Sequence, residues 1–147
     1  MSPVFPETNL FIALLAPIPP NTQRARDWVR KEEERSGGVD FYVSCASFAQ
    51  IALRSGREGN LSNWVKKMRD WSAEYGRPVE WTSDINEIWG EMQGNPAMAQ
   101  YEKEIDLLEL AVYATAIHWG FKLAVFEDKP WLTLLQKEHQ LDYFVLD

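Results

Sequence analysis

Two short apolar runs constrain this chain more than anything else in it: residues 41–45, FYVSC, and residues 121–126, FKLAVF. Runs of this length behind Gly37-Gly38 and Gly120 read as strands buried on both faces of a parallel sheet. Such strands, joined by helices, imply a sheet covered on both sides. The chain is therefore expected to be α/β, three layers (α/β/α), around a central, mostly parallel sheet of four to five strands.

The remaining elements fit that frame. Residues 3–6 make a short extended start. Thr8 or Asn9 can cap the apolar helix LFIALLA, which is expected to be buried all round. Pro17, Pro19 and Pro20 end it. A second helix follows from Asn21 or Thr22, with Ala25, Trp28 and Val29 inward and Arg24, Arg26, Arg30 and Lys31 outward. Ser47 is the expected cap of SFAQIALRS, which Gly56 and Gly59 break. Leu61–Tyr75 is amphipathic, with Leu61, Trp64, Val65, Met68 and Trp71 on one stripe; these make core or an aromatic interface. Residues 79–81 fit a short strand, and Ser83 caps the helix after it. A long helix spans 97–119, with a break expected near Glu104. Pro130 opens a short helix to His139, and residues 143–146 form the last strand. No repeat or linker divides residues 1–147, so a single domain is expected.

The totals narrow the class. An apolar fraction of 46% argues for a real core. The net charge of −7 speaks against a general polyanion binder, but the charge is uneven. Residues 24–77 carry 11 of the 15 Lys and Arg and 8 of the 22 Asp and Glu, a net of +3, against −10 elsewhere. A basic segment beside an acidic remainder suits a nuclease, with acids for metal and bases for phosphate; a solvated helical face is the plainer reading. The single cysteine, Cys45, lies in an apolar run and reads as a structural thiol. His118 and His139 are isolated and read as helix-end or surface residues. With no signal-like start and no membrane-length run, a soluble cytoplasmic protein is expected.

Ligand sites in open sheets lie beyond the carboxyl ends of the strands. Glu7 follows the first strand and Glu127 a later one. Glu109 lies in the helix entering that later strand, and Gln50 early in the helix after residues 41–45. Three carboxylates and one amide are thus expected to gather at one edge. Mg²⁺ and Mn²⁺ take hard oxygen ligands of this kind, and can activate water and stabilise charge on a scissile phosphate. Clustered acids raise one another's pKa until a cation binds. With 22 acids in the chain, accidental sets also arise.

The motifs at these positions carry a resemblance. Glu7-Thr8-Asn9 before LFIALL, YVSCASFAQIAL containing Gln50, and Glu109-Leu-Ala-Val-Tyr-Ala-Thr-Ala116 followed by GFKLAVFED resemble the PIN domains. They are most similar to those of VapC-type and FitB-like toxin nucleases of bacterial toxin–antitoxin pairs. The resemblance spans nearly the whole chain. It implies a Mg²⁺- or Mn²⁺-dependent endoribonuclease with an antitoxin partner, and a homodimer is expected. Glu7, Glu109 and Glu127 would be the catalytic, metal-holding carboxylates, with Gln50 and Asp128 as further ligands and Thr8 and Asn9 as positioning residues. Lys66, Lys67 and Arg69 would contact RNA phosphates, unless they form a solvated face.

The site departs from the family pattern. Glu7, Gln50, Glu109 and Glu127 stand where Asp, Glu, Asp and Asp are usual. Each added methylene moves a carboxylate by roughly 1.5 Å, against a usual site tolerance of about 0.5 Å. Val125 occupies a common Thr position, and Asp106 and Asp128 are neighbouring substitutes. Two readings stay open, an active ribonuclease with a wider pocket and a PIN-fold RNA- or protein-binding module without catalysis. A third is an unrelated α/β module whose acids are only surface.

Overall fold

The computed structural model describes residues 2–16 and 20–146. Strand β3, Lys122–Val125, is its centre. Leu123, Ala124 and Val125 are each fully buried, which requires cover on both faces and a strand on both sides. β1 (Ser2–Pro6) pairs with one side of β3 and β4 (Asp142–Val145) with the other. β2 (Val39–Phe41) lies outside β1. All pairs are parallel, in the order β2-β1-β3-β4. Phe5 is in register with Leu123, and Ala124 with Phe144.

The helices are α1 (Thr8–Leu15), α2 (Asn21–Ser36), α3 (Cys45–Glu58), α4 (Leu61–Tyr75), α5 (Ser83–Gln93), α6 (Leu107–Trp119) and α7 (Pro130–His139). A 3₁₀ helix, Pro96–Tyr101, lies between α5 and α6. Alternation along β3 separates the layers. Leu123 and Val125 join Phe5, Ile85, Val112, Leu132 and Leu135 in the larger core. Ala124 joins Leu10, Ala13, Ala25, Phe126 and Leu146 on the opposite face. A third cluster, Phe11, Val43, Ile51 and Met68, ties α1, α3 and α4 together. Helix α6 is buried from Leu110 through Ala116, because its apolar residues run right round the helix. The expected three-layer architecture is present, with four strands.

Several local expectations are corrected. The strand expected at 41–45 ends at Phe41 and lies at the sheet edge, half-buried, with a partner on one side only. Val43 and Ser44 turn away from the sheet and lead into α3. The Ser44 hydroxyl accepts from the Ala46 N–H at 3.1 Å, so Ser44 is the cap and Ser47 lies inside the helix. Gly56 does not break α3, which runs on until Gly59 takes a left-handed φ of 78°. Residues 79–81 contribute only a single bridge, Ser44 to Val79. Thr82 rather than Ser83 caps α5. The break expected near Glu104 in the helix over 97–119 is present: the first part is the 3₁₀ helix and Asp106 caps α6. Neither Thr8 nor Asn9 caps α1: Glu7 holds that position, without a capping side-chain bond. Arg24 turns inward, donating to the carbonyls of Phe126 and Leu146 at 3.1 and 2.8 Å. Pro17 and Pro19 lie outside the described residues. No described helix is long and apolar enough to cross a membrane.

Candidate functional site

Glu7 leaves β1 at the carboxyl edge of the sheet. Its N–H donates to the Ala124 carbonyl at 2.9 Å. Its Oε1 accepts from the Phe126 N–H at 3.1 Å. The side chain thus continues the β1–β3 ladder one step past its end and is fixed by it. Burial is the main cause that raises the Glu7 pKa from 4.5 to about 7; the Phe126 N–H opposes this, and the Glu109 charge reinforces it.

Glu109 comes from the first turn of α6. Burial raises its pKa too, against the Tyr113 hydroxyl, which donates to Glu109 Oε1 at 2.7 Å, and with the charge of Asp106. Tyr113 is buried and in turn accepts from Trp131 Nε1 at 3.0 Å. Burial and the neighbouring Glu109 charge hold its phenol protonated.

Gln50 is buried and bonded on both sides. Its carbonyl accepts from the Thr8 hydroxyl. Its amide nitrogen donates to both Asp106 oxygens at 3.2 and 3.1 Å. Thr8 also bonds Ser47 at 3.0 Å, and Asp106 Oδ1 accepts from the Glu109 N–H at 2.8 Å. One hydrogen-bonded chain therefore runs from the start of α1 through α3 to the start of α6, and sets where Glu109 begins. It uses an amide where a carboxylate would repel Asp106.

Glu7, Glu109 and Glu127 line one cavity of about 320 Å³ at the sheet edge. Arg24, Arg54 and Lys129 line it too. Glu127 lies at the rim, paired with Lys129 at 3.1 Å. Arg54 donates to Asn9 Oδ1 at 3.3 Å, which places Asn9 on the cavity wall. Asp128 does not line this cavity; it accepts from the Tyr143 hydroxyl at 3.0 Å. Lys66, Lys67 and Arg69 are on α4, and none of them lines the cavity. Lys66 pairs with Asp70 at 3.7 Å. His118 stacks edge-on against Trp119, and His139 bonds Asn95.

The sequence reading missed Arg54, Lys129 and Tyr113. A signal existed for each: Arg54 is one helical turn beyond Gln50, Tyr113 one turn beyond Glu109, and Lys129 two residues after Glu127.

Among the described residues, no three His, Cys, Asp or Glu side chains form a group spaced to hold one ion. A closed three-carboxylate cage does not fit this arrangement. A water-rich site does fit, since Mg²⁺ keeps several waters and is often held by one or two carboxylates plus substrate phosphate. Glu7 and Glu109 would be that pair, each half-buried and each raised in pKa, as expected of acids that gain from a cation.

The fold is PIN-like. No family model matches the chain. No curated protein matches it either. Solved structures do. A chain of VapBC2 from Rickettsia felis, bound to a DNA fragment from its promoter, is similar over 99% of each chain at 11% identity, with a TM-score of 0.67. A chain of VapBC-1 from nontypeable Haemophilus influenzae covers 99% of this chain and 98% of its own at 12% identity, TM-score 0.66. A chain of FitAcB from Neisseria gonorrhoeae covers 96% of each at 18% identity, TM-score 0.61. At these identities the likeness is one of fold.

Proposed function

We propose that this chain is the PIN-like member of a toxin–antitoxin pair, a Mg²⁺- or Mn²⁺-dependent endoribonuclease acting on RNA phosphodiesters. The observation that carries this reading is the convergence of Glu7, Glu109 and Glu127 on one cavity at the carboxyl edge of a parallel sheet. Full-length fold similarity to VapBC and FitAB chains supports it. Glu7 and Glu109 would hold the metal, and Glu127 would reach it through water once released from Lys129. The bound ion would supply an activated water and charge stabilisation at phosphorus. Arg54 and Lys129 bring positive charge for the phosphate, and the ladder bonds of Glu7 keep its carboxylate oriented. Gln50, Thr8 and Asp106 position Glu109. A protein antitoxin, a second copy of the chain and a cytoplasmic setting belong to the same reading.

Incubation of the purified protein with single-stranded RNA in Mg²⁺, Mn²⁺ or EDTA tests it. Cleavage with metal, lost in EDTA and in Glu109→Gln, is expected. An intact fold that cuts no RNA with either metal would sink the enzyme reading. A second reading, a binding module without catalysis, is favoured by one observation: Gln50 and Glu127 are already tied to Asp106 and Lys129. It predicts RNA retention with no cleavage under any metal.

A further inference from the structure

Beside the acidic cavity lies a larger groove of about 970 Å³, walled by α3, α5, the 3₁₀ helix and the start of α6. Leu53 and Leu107 line it and are 53% and 57% exposed, more than any other large apolar side chain among the described residues. Two such side chains in one concavity are the kind of exposed apolar surface that ligand grooves present. Trp89 and Tyr101 also line it; Trp89 is fixed by its Nε1 bond to the Leu107 carbonyl at 3.0 Å.

Two observations indicate what fits there. The groove adjoins the acidic cavity, with Arg54 lining both. Arg54 makes no ion pair within 4.0 Å among the described residues, its bond being to the neutral Asn9 amide. A guanidinium with no close ion pair at the junction, near enough to Glu109 to lower its pKa, suits a phosphate. Inside the groove, apart from Arg54, the charged lining residues are Arg57 on α3 and the acids Glu102 and Asp106, so negative charge is in excess. That wall suits an uncharged ring with polar edges rather than a second phosphate. Aromatic rings and guanidinium planes are the usual platforms for unstacked bases, and carboxylates accept from base amino groups.

We propose that this groove is an RNA subsite, holding the nucleobase next to a phosphate bound by Arg54. The proposal rests on the RNA-directed reading above and adds where the strand lies. It gives α3, not α4, the contact with RNA.

The test is binding of an end-labelled hexaribonucleotide, followed by fluorescence anisotropy over a salt series, on a Glu109→Gln background so that nothing is cut. Leu53→Gln with Leu107→Gln changes exposed helical positions without altering charge, and circular dichroism checks the fold. This pair is expected to weaken RNA binding about tenfold with an unchanged salt slope, as loss of base contacts should. Arg54→Gln is expected to weaken it and lower the salt slope by about 1, as loss of one phosphate contact should. A 4-thiouridine probe is expected to cross-link to peptides carrying Trp89 or Tyr101. Wild-type affinity in the leucine pair, or cross-links on α4 instead, overturns the subsite while leaving RNA binding in place. A fall in oligomer size with RNA affinity intact also overturns it and assigns the groove to a second copy of the chain. If no form binds RNA, the proposed function falls with it.

Discussion

Glu7 offers the sharpest prediction, because its environment sets the sign of a pH effect. Its pKa is about 7 when folded and 4.5 when unfolded. Between those values the folded state binds more protons than the unfolded one, so stability falls as pH rises. The interval, at about 1.4 kcal/mol per pH unit, amounts to about 3 kcal/mol lost between pH 4.5 and 7, with little further change above. Glu109 is raised as well and adds to the same trend. Glu7→Gln removes the ionisation and keeps a carbonyl oxygen for the Phe126 N–H. The variant is expected to match the wild type near pH 4.5 and to exceed it by about 2–3 kcal/mol at pH 8. Urea unfolding of both proteins in EDTA at half-unit pH steps measures the difference directly. Parallel stability curves, with no divergence between pH 5 and 7, would refute the claim that folding raises the Glu7 pKa.

Three further variants test the same contacts. Tyr113→Phe leaves Trp131 Nε1 without its acceptor and Glu109 without its donor; a loss of about 1–3 kcal/mol is expected by thermal or urea unfolding. Gln50→Glu is expected to lower stability in EDTA by about 1–3 kcal/mol, since it removes the bonds to Asp106 and buries a like charge beside it. The same variant should bind Mn²⁺ more tightly in calorimetry, and unchanged metal affinity would place Gln50 outside the ion's reach. Asp106→Ala removes the cap of α6 and should cost about 0.5–2 kcal/mol, with faster hydrogen exchange at the start of that helix.

The edge of the sheet shows how far a sequence can be read. Residues 121–126 form the most apolar strand-like run, and they became the central strand, because only a site covered on both faces accepts such a run. Residues 41–45 are nearly as apolar, yet β2 stops at Phe41 and lies at the edge. Period and composition distinguish buried from exposed; they do not distinguish a strand from the turn that leads into a helix. The caps failed for a related reason. Ser44 and Ser47, or Thr82 and Ser83, are chemically equivalent candidates, and the helix start is chosen by where the preceding strand releases the chain.

What the sequence determined by itself was the α/β alternation and a parallel sheet. These follow from local apolar periods. What only the tertiary structure decided was the state of Glu7, Glu109 and Glu127. Burial against Phe126 and Tyr113 holds Glu7 and Glu109 toward the protonated form, Lys129 engages Glu127, and Gln50 is committed to Asp106. Arg54 also came into the site only in three dimensions. Charge state depends on desolvation and on neighbours distant in sequence, such as Phe126 for Glu7, 119 residues apart. No local pattern encodes such a pair; the packing of α1, α3 and α6 around the end of β3 creates it.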